Sequence, residues 1–550
     1  MSYFTAEPLL LATAATDLAG IGSAISEAAA AAASPTTVLL PAAADEVSAA
    51  IAKLFGAFAE EYQALNAQIS AFHNEFQQRL LAAANSYANA EAASAAALVQ
   101  QAISGLPTQT APPPPPGPMS QLTALVFGGT GTPIPGQTYI DAMFTRYVQP
   151  LFPTALPQGL FTPEQLYPIT GVKTLPLATS VQQGLQIMDD AIWQQLNAGN
   201  RVTVFGYSQS AIIASLEMQH LISLGPNAPL PSQLSFVFTG NEMNPNGGLL
   251  ARFPGLNIAS IGLPFYGATP DNPYPTTTYT IEYDGFADFP RYPLNLISDL
   301  NAVFGILTLH TQYASIPLSD VANKVLLDTV GTTSNQYYII PSAHLPLLDP
   351  VRAIPVIGQP IAALIEPDLR VIVNLGYGDP NYGYSTSPAN VPTPFGLFPD
   401  VPPSVVADAL IAGTHQGLND FAAALPAALT TAPTIAPPGL PPFLTSVLPP
   451  APAPVPATPL NIANTFAAAI SDAYSTLLPT ADLGLALGAT LPAYNATLAL
   501  SQLAQGNLIN AFGYPVAATV GMATLGGMIE FIAVAEQLIA IAQAFQSLTI

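Results

Sequence analysis

The chain has 550 residues and no cysteine, so it holds no disulfide framework, thiolate metal site or cysteine nucleophile. Charge is scarce: 8% of residues are charged, against roughly a quarter in ordinary soluble domains. Positive charge is the scarcer sign, with ten Lys and Arg against 33 Asp and Glu and a formal net charge of -23. A surface so poor in cations cannot track phosphates, which argues against nucleic acid as a partner. No Lys follows a Gly, so a P-loop is absent. The five histidines include no pair at ligand spacing and no H-E-x-x-H occurs, so neither a metal nor a cofactor is expected.

Long Leu/Ile/Val runs are also missing. The opening MSYFTAEPLLLATAATDLAG carries Glu7 and Asp17 without a basic segment, unlike a Sec-type signal peptide. Tyr514 to Met528, closed by Glu530, falls short of the about twenty apolar residues a membrane span needs. A buried or membrane-surface helix is expected there.

What is present divides by composition. Residues 1–100, rich in Ala and polar helix formers and broken around Pro35 and Pro41, read as an α-helical hairpin. Its first arm offers Leu18, Ile21, Ile25 and Ala28, and its second Ile51, Leu54, Phe58, Tyr62, Leu65, Ile69, Phe72 and Phe76 at coiled-coil-like spacing. Two helices alone cannot cover that seam, so either docking on the rest of the chain or, preferred, a partner helix pair is expected. Residues 101–119 form a linker with five consecutive prolines, Pro112 to Pro116, a semi-rigid spacer. From 120 to 405, short β-branched runs alternate with helical patterns, as in an α/β sheet. Expected strands include Leu122–Phe127, Val202–Phe205, Leu234–Phe238, Tyr279–Tyr283 and Arg370–Asn374. A proline-rich spacer is expected over 406–460 and an Ala/Leu-rich helical tail over 461–550. No Lys or Arg follows Arg370.

The segment VTVFGYSQSAIIASL places Ser208 between an apolar strand and an apolar helix, the setting of a nucleophile elbow. Positions two before and two after the serine must be small there, and Gly206 and Ser210 are. The Gln209 backbone N–H would face a developing oxyanion. The glycine cluster Gly128-Gly129-Thr130-Gly131-Thr132-Pro133 lacks the further glycine and helix start of a dinucleotide site. It supplies Thr130 as a second oxyanion donor.

A serine hydroxyl needs a base to take its proton. His73 lies in the hairpin and His415 beyond the α/β region, while His220 is about 18 Å along the helix that starts at Ser208. His310 and His344 remain, His310 being preferred. The orienting acid belongs in the turn after a later strand, where TYTIEYDGFADFP offers Asp284 and Asp288. Asp288 is preferred because the Gly285 turn would lift it above the sheet edge. Ser208, Asp288 and His310 then keep the order Ser…Asp…His of this fold.

At these residues the sequence resembles a mycobacterial PE-family protein with a PE-PPE domain, a cutinase-like serine α/β-hydrolase. ATDLAGIGSAISEAAAAAASPTT and ADEVSAAIAKLFGAFAEEYQAL resemble a PE domain, with the namesake Pro-Glu pair inverted as Glu7-Pro8. Tyr87-Ala-Asn-Ala-Glu91 is similar to the Y-x-x-x-[DE] element of type VII secretion. Over 120–405 the matching stretches are FGGTGTP, GYSQS, YDGFADFPRYPLN, LNAVFG and ANVPTPFGLFPD. GYSQS and His310-Thr-Gln-Tyr313 correspond to the family's G-Y-S-Q-G and H-x-x-Y, which strengthens His310 as the base.

The resemblance implies a secreted or cell-wall serine esterase or lipase acting on acyl esters. It further implies a PPE-family helical partner and export by a type VII system without a cleaved signal peptide. Acyl transfer onto an envelope glycolipid would use the same residues, and a non-catalytic envelope or secretion partner would leave them idle.

Overall fold

The computed structural model describes residues 29–43, 45–46, 48–60, 63, 106, 111–115, 120–271, 273–430 and 452–549. Two compact units divide the chain: Met1–Ala93 with Pro492–Thr497, and Ser94–Leu491 with Leu498–Ile550.

Within the first unit, residues 29–37 and 48–60 are helical. Asp45 caps the second helix, its carboxylate accepting from the Ser48 N–H at 2.8 Å and the Ser48 hydroxyl at 2.7 Å. Ile51, Leu54 and Phe58 of the expected seam are 48–60% exposed. The rest of the seam from Tyr62 on, the first-arm stripe and the Tyr87–Glu91 motif lie outside the described residues.

The second unit is built on a seven-stranded sheet. Its strands are β1 (Leu122–Val126), β2 (Leu156–Gly159), β3 (Arg201–Tyr207), β4 (Leu234–Thr239), β5 (Thr276–Ile281), β6 (Val325–Leu326) and β7 (Asn335–Ile340). They lie in the order β2-β1-β3-β4-β5-β7-β6, all parallel except the short edge strand β6. Central strands such as LSFVFT are buried on both faces, which is why they read as continuous apolar runs. Helices α1 (Leu177–Asn197), α2 (Gln209–Ser223), α3 (Leu296–Thr308) and α4 (Gly358–Leu375) accompany the sheet. The chain crosses from one half of the sheet to the other between β1 and β3. The loops after those strands flank that switch point, the usual place for a ligand in an open α/β sheet. They are the Gly128–Thr132 loop and the turn at Ser208.

Two expectations are corrected. Arg370–Asn374 is the last part of α4 and not a strand. Its β-branched VIV run sits on a helix that buries Val371, Val373 and Asn374 and leaves Ile372 exposed, and helix packing overrides the local β preference. Residues 406–430, expected within a spacer, belong to helix α5 (Pro403–Thr430), which packs along α4. Gly413 and Gly417 allow the close approach: a Cβ on Gly417 would meet the Leu364 carbonyl oxygen at 2.1 Å.

The tail is helical, as α6 (Pro459–Ser475), α7 (Leu477–Leu485) and α8 (Leu508–Gln546). By length and composition alone, Pro459–Ala504 and Leu508–Gln546 could each cross a membrane. Within this unit α8 instead buries Met522, Leu525, Met528, Ile529 and Ile532.

Candidate active site

Strand β3 delivers Ser208 through a turn with φ 55° and ψ -126°, a conformation L-residues adopt only under constraint. Two neighbours supply that constraint. Gly206 admits the helix start, since a Cβ there would lie 2.9 Å from the Ser210 carbonyl oxygen. Ser210 accepts from the Tyr207 N–H at 2.8 Å and donates to the Tyr207 carbonyl at 3.0 Å, so its hydroxyl staples the turn. A serine in place of the usual final glycine is thereby explained.

His310 stands at the end of α3. Its Nε2 is 2.9 Å from Ser208 Oγ, and its Nδ1 is 2.9 Å from both carboxylate oxygens of Asp284. Tyr207 stacks on the imidazole at 5.3 Å between centroids and donates its hydroxyl to the His310 carbonyl at 2.8 Å. Phe286 meets the ring edge-on at 4.8 Å. The backbone opposite is Gly240, at φ 57°, where any side chain would strike the imidazole. The ring is therefore held from several sides.

Asp284 also accepts from the Tyr313 hydroxyl at 2.8 Å and the Phe286 N–H at 3.1 Å. Tyr313 of the H-x-x-Y pattern thus positions the acid that positions the histidine. Burial disfavours the imidazolium, but the charge and hydrogen bond of Asp284, with the charge of Glu242, outweigh it and raise the His310 pKa above 6.5.

Ser208 and His310 are brought together as the spacing predicts, but Asp288 is not brought to them. The chain turns back after β5, with the Asp288 N–H donating to the Asp284 carbonyl, and this carries Asp288 beneath the site. Its carboxylate accepts from the Tyr283 N–H at 3.1 Å, and burial, which outweighs that bond and the charge of Arg252, holds its pKa well above the usual carboxylate range. Asp284, at the strand end itself, takes the place beside His310. His344 is on the surface, its side chain 63% exposed and 3.5 Å from Glu366.

Gln209 opens α2, and the first N–H groups of a helix have no partner within it. Its side chain donates to Thr130 Oγ1 and the Gln165 carbonyl, each at 3.0 Å, and accepts from the Ser180 hydroxyl at 2.6 Å. Thr130 is thus held beside the start of α2 by the Gln209 side chain. Gly129 lies beside it, 3.0 Å from Ser208 Cβ at its own Cβ position.

Glu242 was not singled out by its sequence. Its Oε1 accepts from Ser208 Oγ at 3.0 Å, and among the described residues its Oε2 has no hydrogen-bond partner. Burial, opposed by His310 and by its hydrogen bonds, raises its pKa to about 7. Its place three residues past the C-terminal end of β4, in a chain so poor in charge, was the available signal.

The polar cluster opens into an apolar cavity of about 170 Å³. Met143, Leu166, Ile212 and Phe286 line it, together with Leu525, Met528 and Ile529 from α8. Among the described residues no cluster of His, Asp or Glu has the arrangement of a metal site. A serine hydroxyl, an imidazole and a carboxylate in line beside an apolar pocket form an arrangement able to carry acyl transfer from an ester.

Comparison with known proteins matches residues 4–94 to the PE family model and residues 153–378 to the PE-PPE domain model. Three relatives come from Mycobacterium tuberculosis. Uncharacterized PPE family protein PPE28 is 46% identical over 75% of this chain and 65% of its own length. Esterase PE16 is 49% identical over 74% of this chain and 75% of its own, and PE family protein PE3 is 47% identical over 76% and 87%. A solved structure, a novel cutinase-like protein from Cryptococcus sp., matches at 19% identity and TM-score 0.22, covering 33% of this chain and 82% of that one.

Proposed function

We propose, from the premise that the chain belongs to the PE family and carries its PE-PPE domain, that it is a serine ester hydrolase of the esterase or lipase type. The observation that carries the reading is the 2.9 Å chain from Ser208 Oγ through His310 to Asp284 at the mouth of an apolar cavity. The relative named Esterase PE16 supports the same reaction class.

In this reading His310 Nε2 takes the Ser208 proton as Oγ bonds to the ester carbonyl carbon. The carbonyl oxygen becomes an oxyanion facing the Gln209 N–H and Thr130. His310 then gives its proton to the departing alkoxide as the C–O bond breaks. Water, deprotonated by His310, attacks the acyl-serine, and collapse returns the proton to Ser208 Oγ and releases the acid. Asp284 keeps the proton on Nδ1, so that Nε2 is free to accept.

An engineered cavity of about 150 Å³ holds a benzene molecule. A similar volume here favours acyl groups of short to medium length over long chains. The test is incubation of the full chain with a fluorophosphonate, followed by peptide mass analysis. Labelling confined to Ser208, with hydrolysis of p-nitrophenyl butyrate or hexanoate lost in proportion, is expected. An unlabelled Ser208 would sink the reading and leave a non-catalytic envelope or secretion partner.

Acyl transfer to a glycolipid hydroxyl is the second reading, favoured by the 4% exposure of Ser208 beneath apolar walls that exclude water. Product analysis with and without a glycolipid acceptor separates the two. The exposed Ile51, Leu54 and Phe58 stripe supports pairing with a PPE-family helical protein, and with it a secreted or cell-wall location reached by type VII export.

The pH profile is a further test. A serine hydroxyl has one hydrogen, and Glu242 and His310 both compete for it. Above about pH 7 an ionised Glu242 draws that hydrogen from His310 and opposes the oxyanion. Below the raised pKa of His310 the base is protonated. A bell-shaped kcat/KM is therefore expected. Glu242→Gln should abolish the alkaline limb and move the acid limb to lower pH, because an anion that held the proton on His310 is gone. An unchanged profile in Glu242→Gln would refute this role.

A further inference from the structure

Helix α8 lies outside the segment that matches the PE-PPE domain model, yet Leu525, Met528 and Ile529 share one cavity with Ser208 and His310. Their i, i+3, i+4 spacing puts all three on one helix face, and each is at most 4% exposed. A second apolar cavity of about 20 Å³ adjoins the same helix, lined by Leu256, Ile258, Leu483 and Met522. Leu525 and Ile529 line both cavities and stand between them.

The wall is fastened rather than loosely laid. A Cβ on Gly521 would lie 2.9 Å from Phe253 Cζ, so the helix backbone is pressed against that ring. Tyr514 meets Phe395 at 5.2 Å between centroids. Asp482 of α7 accepts from the Tyr167 hydroxyl at 2.7 Å, and its carbonyl accepts from the Ser260 hydroxyl at 2.8 Å. Tyr167 itself lines the catalytic cavity.

We propose that α8 is the acyl-binding wall of the active site, and that Leu525 and Ile529 set the acyl length accepted by closing the catalytic cavity off from the second one. This rests on the ester-hydrolase reading and deepens it. An acyl chain entering from Ser208 meets these two side chains end-on. Shortening either joins the cavities and lengthens the slot, and enlarging either shortens it. The substrates so selected are esters of a single unbranched acyl chain.

The experiment uses the full chain and p-nitrophenyl esters from butyrate to laurate. Leu525→Ala and Ile529→Ala are expected to raise the laurate-to-butyrate ratio of kcat/KM at least tenfold, and Leu525→Phe to lower it. Phe531→Ala, on the same helix but 56% exposed, should leave the ratio within twofold. Ile529→Val, which removes one methyl group, gives a smaller rise in the same direction should the alanine variants fold poorly. Ratios unchanged in folded variants, with hydrolysis still dependent on Ser208, would overturn the inference. A parallel calorimetric titration with decanol and hexanol on Ser208→Ala needs no turnover. If no ester is hydrolysed but Leu525→Ala still shifts binding toward decanol, the hydrolase reading fails and the wall stands. Equal preference for the two alcohols in both backgrounds would overturn the wall itself.

Discussion

Ser208→Ala is expected to lower hydrolysis of p-nitrophenyl esters by about a millionfold in turnover, the usual loss when a triad nucleophile is removed. The size follows from the position of the hydroxyl. Ser208 Oγ is the atom to which His310 Nε2 is directed at 2.9 Å, and the acyl-enzyme cannot form without it. The fold should persist, because the turn is held by Gly206 and by the Ser210 hydroxyl rather than by Ser208 Oγ. The removed hydroxyl also leaves Glu242 without its hydrogen-bonding neighbour. Some rate above the uncatalysed reaction survives where oxyanion donors alone act, roughly a thousandfold or more. Ser210→Ala is the matched control, two positions away. It loses two bonds to the Tyr207 backbone, each worth about 1 kcal/mol, and should lower thermal stability more than turnover. Equal turnover by wild type and Ser208→Ala would show that this hydroxyl is not the nucleophile.

Much of this site is legible in the amino-acid sequence because its parts are local. A nucleophile elbow needs a strand, a tight turn and a helix within about fifteen residues, and VTVFGYSQSAIIASL carries all three. The strands buried on both faces announce themselves as apolar runs. What is not legible depends on contacts between distant segments. Asp284 and Asp288 share one turn, and both are compatible with the chain order expected of the fold. The hydrogen bond of the Asp288 N–H back to the Asp284 carbonyl, the Tyr283 N–H on the Asp288 carboxylate and the Tyr313 hydroxyl on Asp284 separate their fates. Arg370–Asn374 has the composition of a strand, yet it is helical where Val373 packs with Tyr283, Leu345 and Leu348 and Asn374 accepts from the Tyr283 hydroxyl, 91 residues earlier. Glu242 becomes visible only when β4 is laid beside β3. The three α8 side chains in the pocket come from a tail of low sequence complexity, whose own pattern points to a buried or membrane-surface helix but not to what it faces.

Asp284→Asn should reduce kcat about ten-thousandfold, the scale on which loss of the orienting carboxylate acts in serine triads. The carboxylate oxygens of Asp284 face His310 Nδ1 at 2.9 Å and accept from the Tyr313 hydroxyl and the Phe286 N–H. An asparagine fills the same volume but must place an NH₂ group where an acceptor was needed. With that NH₂ turned toward Nδ1, the imidazole carries its proton on Nε2 and can no longer accept from Ser208. The charge that raises the His310 pKa is also lost, so the acid limb of the remaining activity should move to lower pH. Asp288→Asn is the discriminating companion. It retains an acceptor for the Tyr283 N–H and the volume of a buried side chain that makes no hydrogen bond to His310. Its expected cost falls on thermal stability, through the altered hydrogen bonding of a buried polar side chain, about 1–3 kcal/mol, with kcat within about tenfold of wild type. The two variants therefore separate by kcat on one side and melting temperature on the other. A ten-thousandfold loss in Asp288→Asn with near-normal kcat in Asp284→Asn would transfer the orienting role back to Asp288.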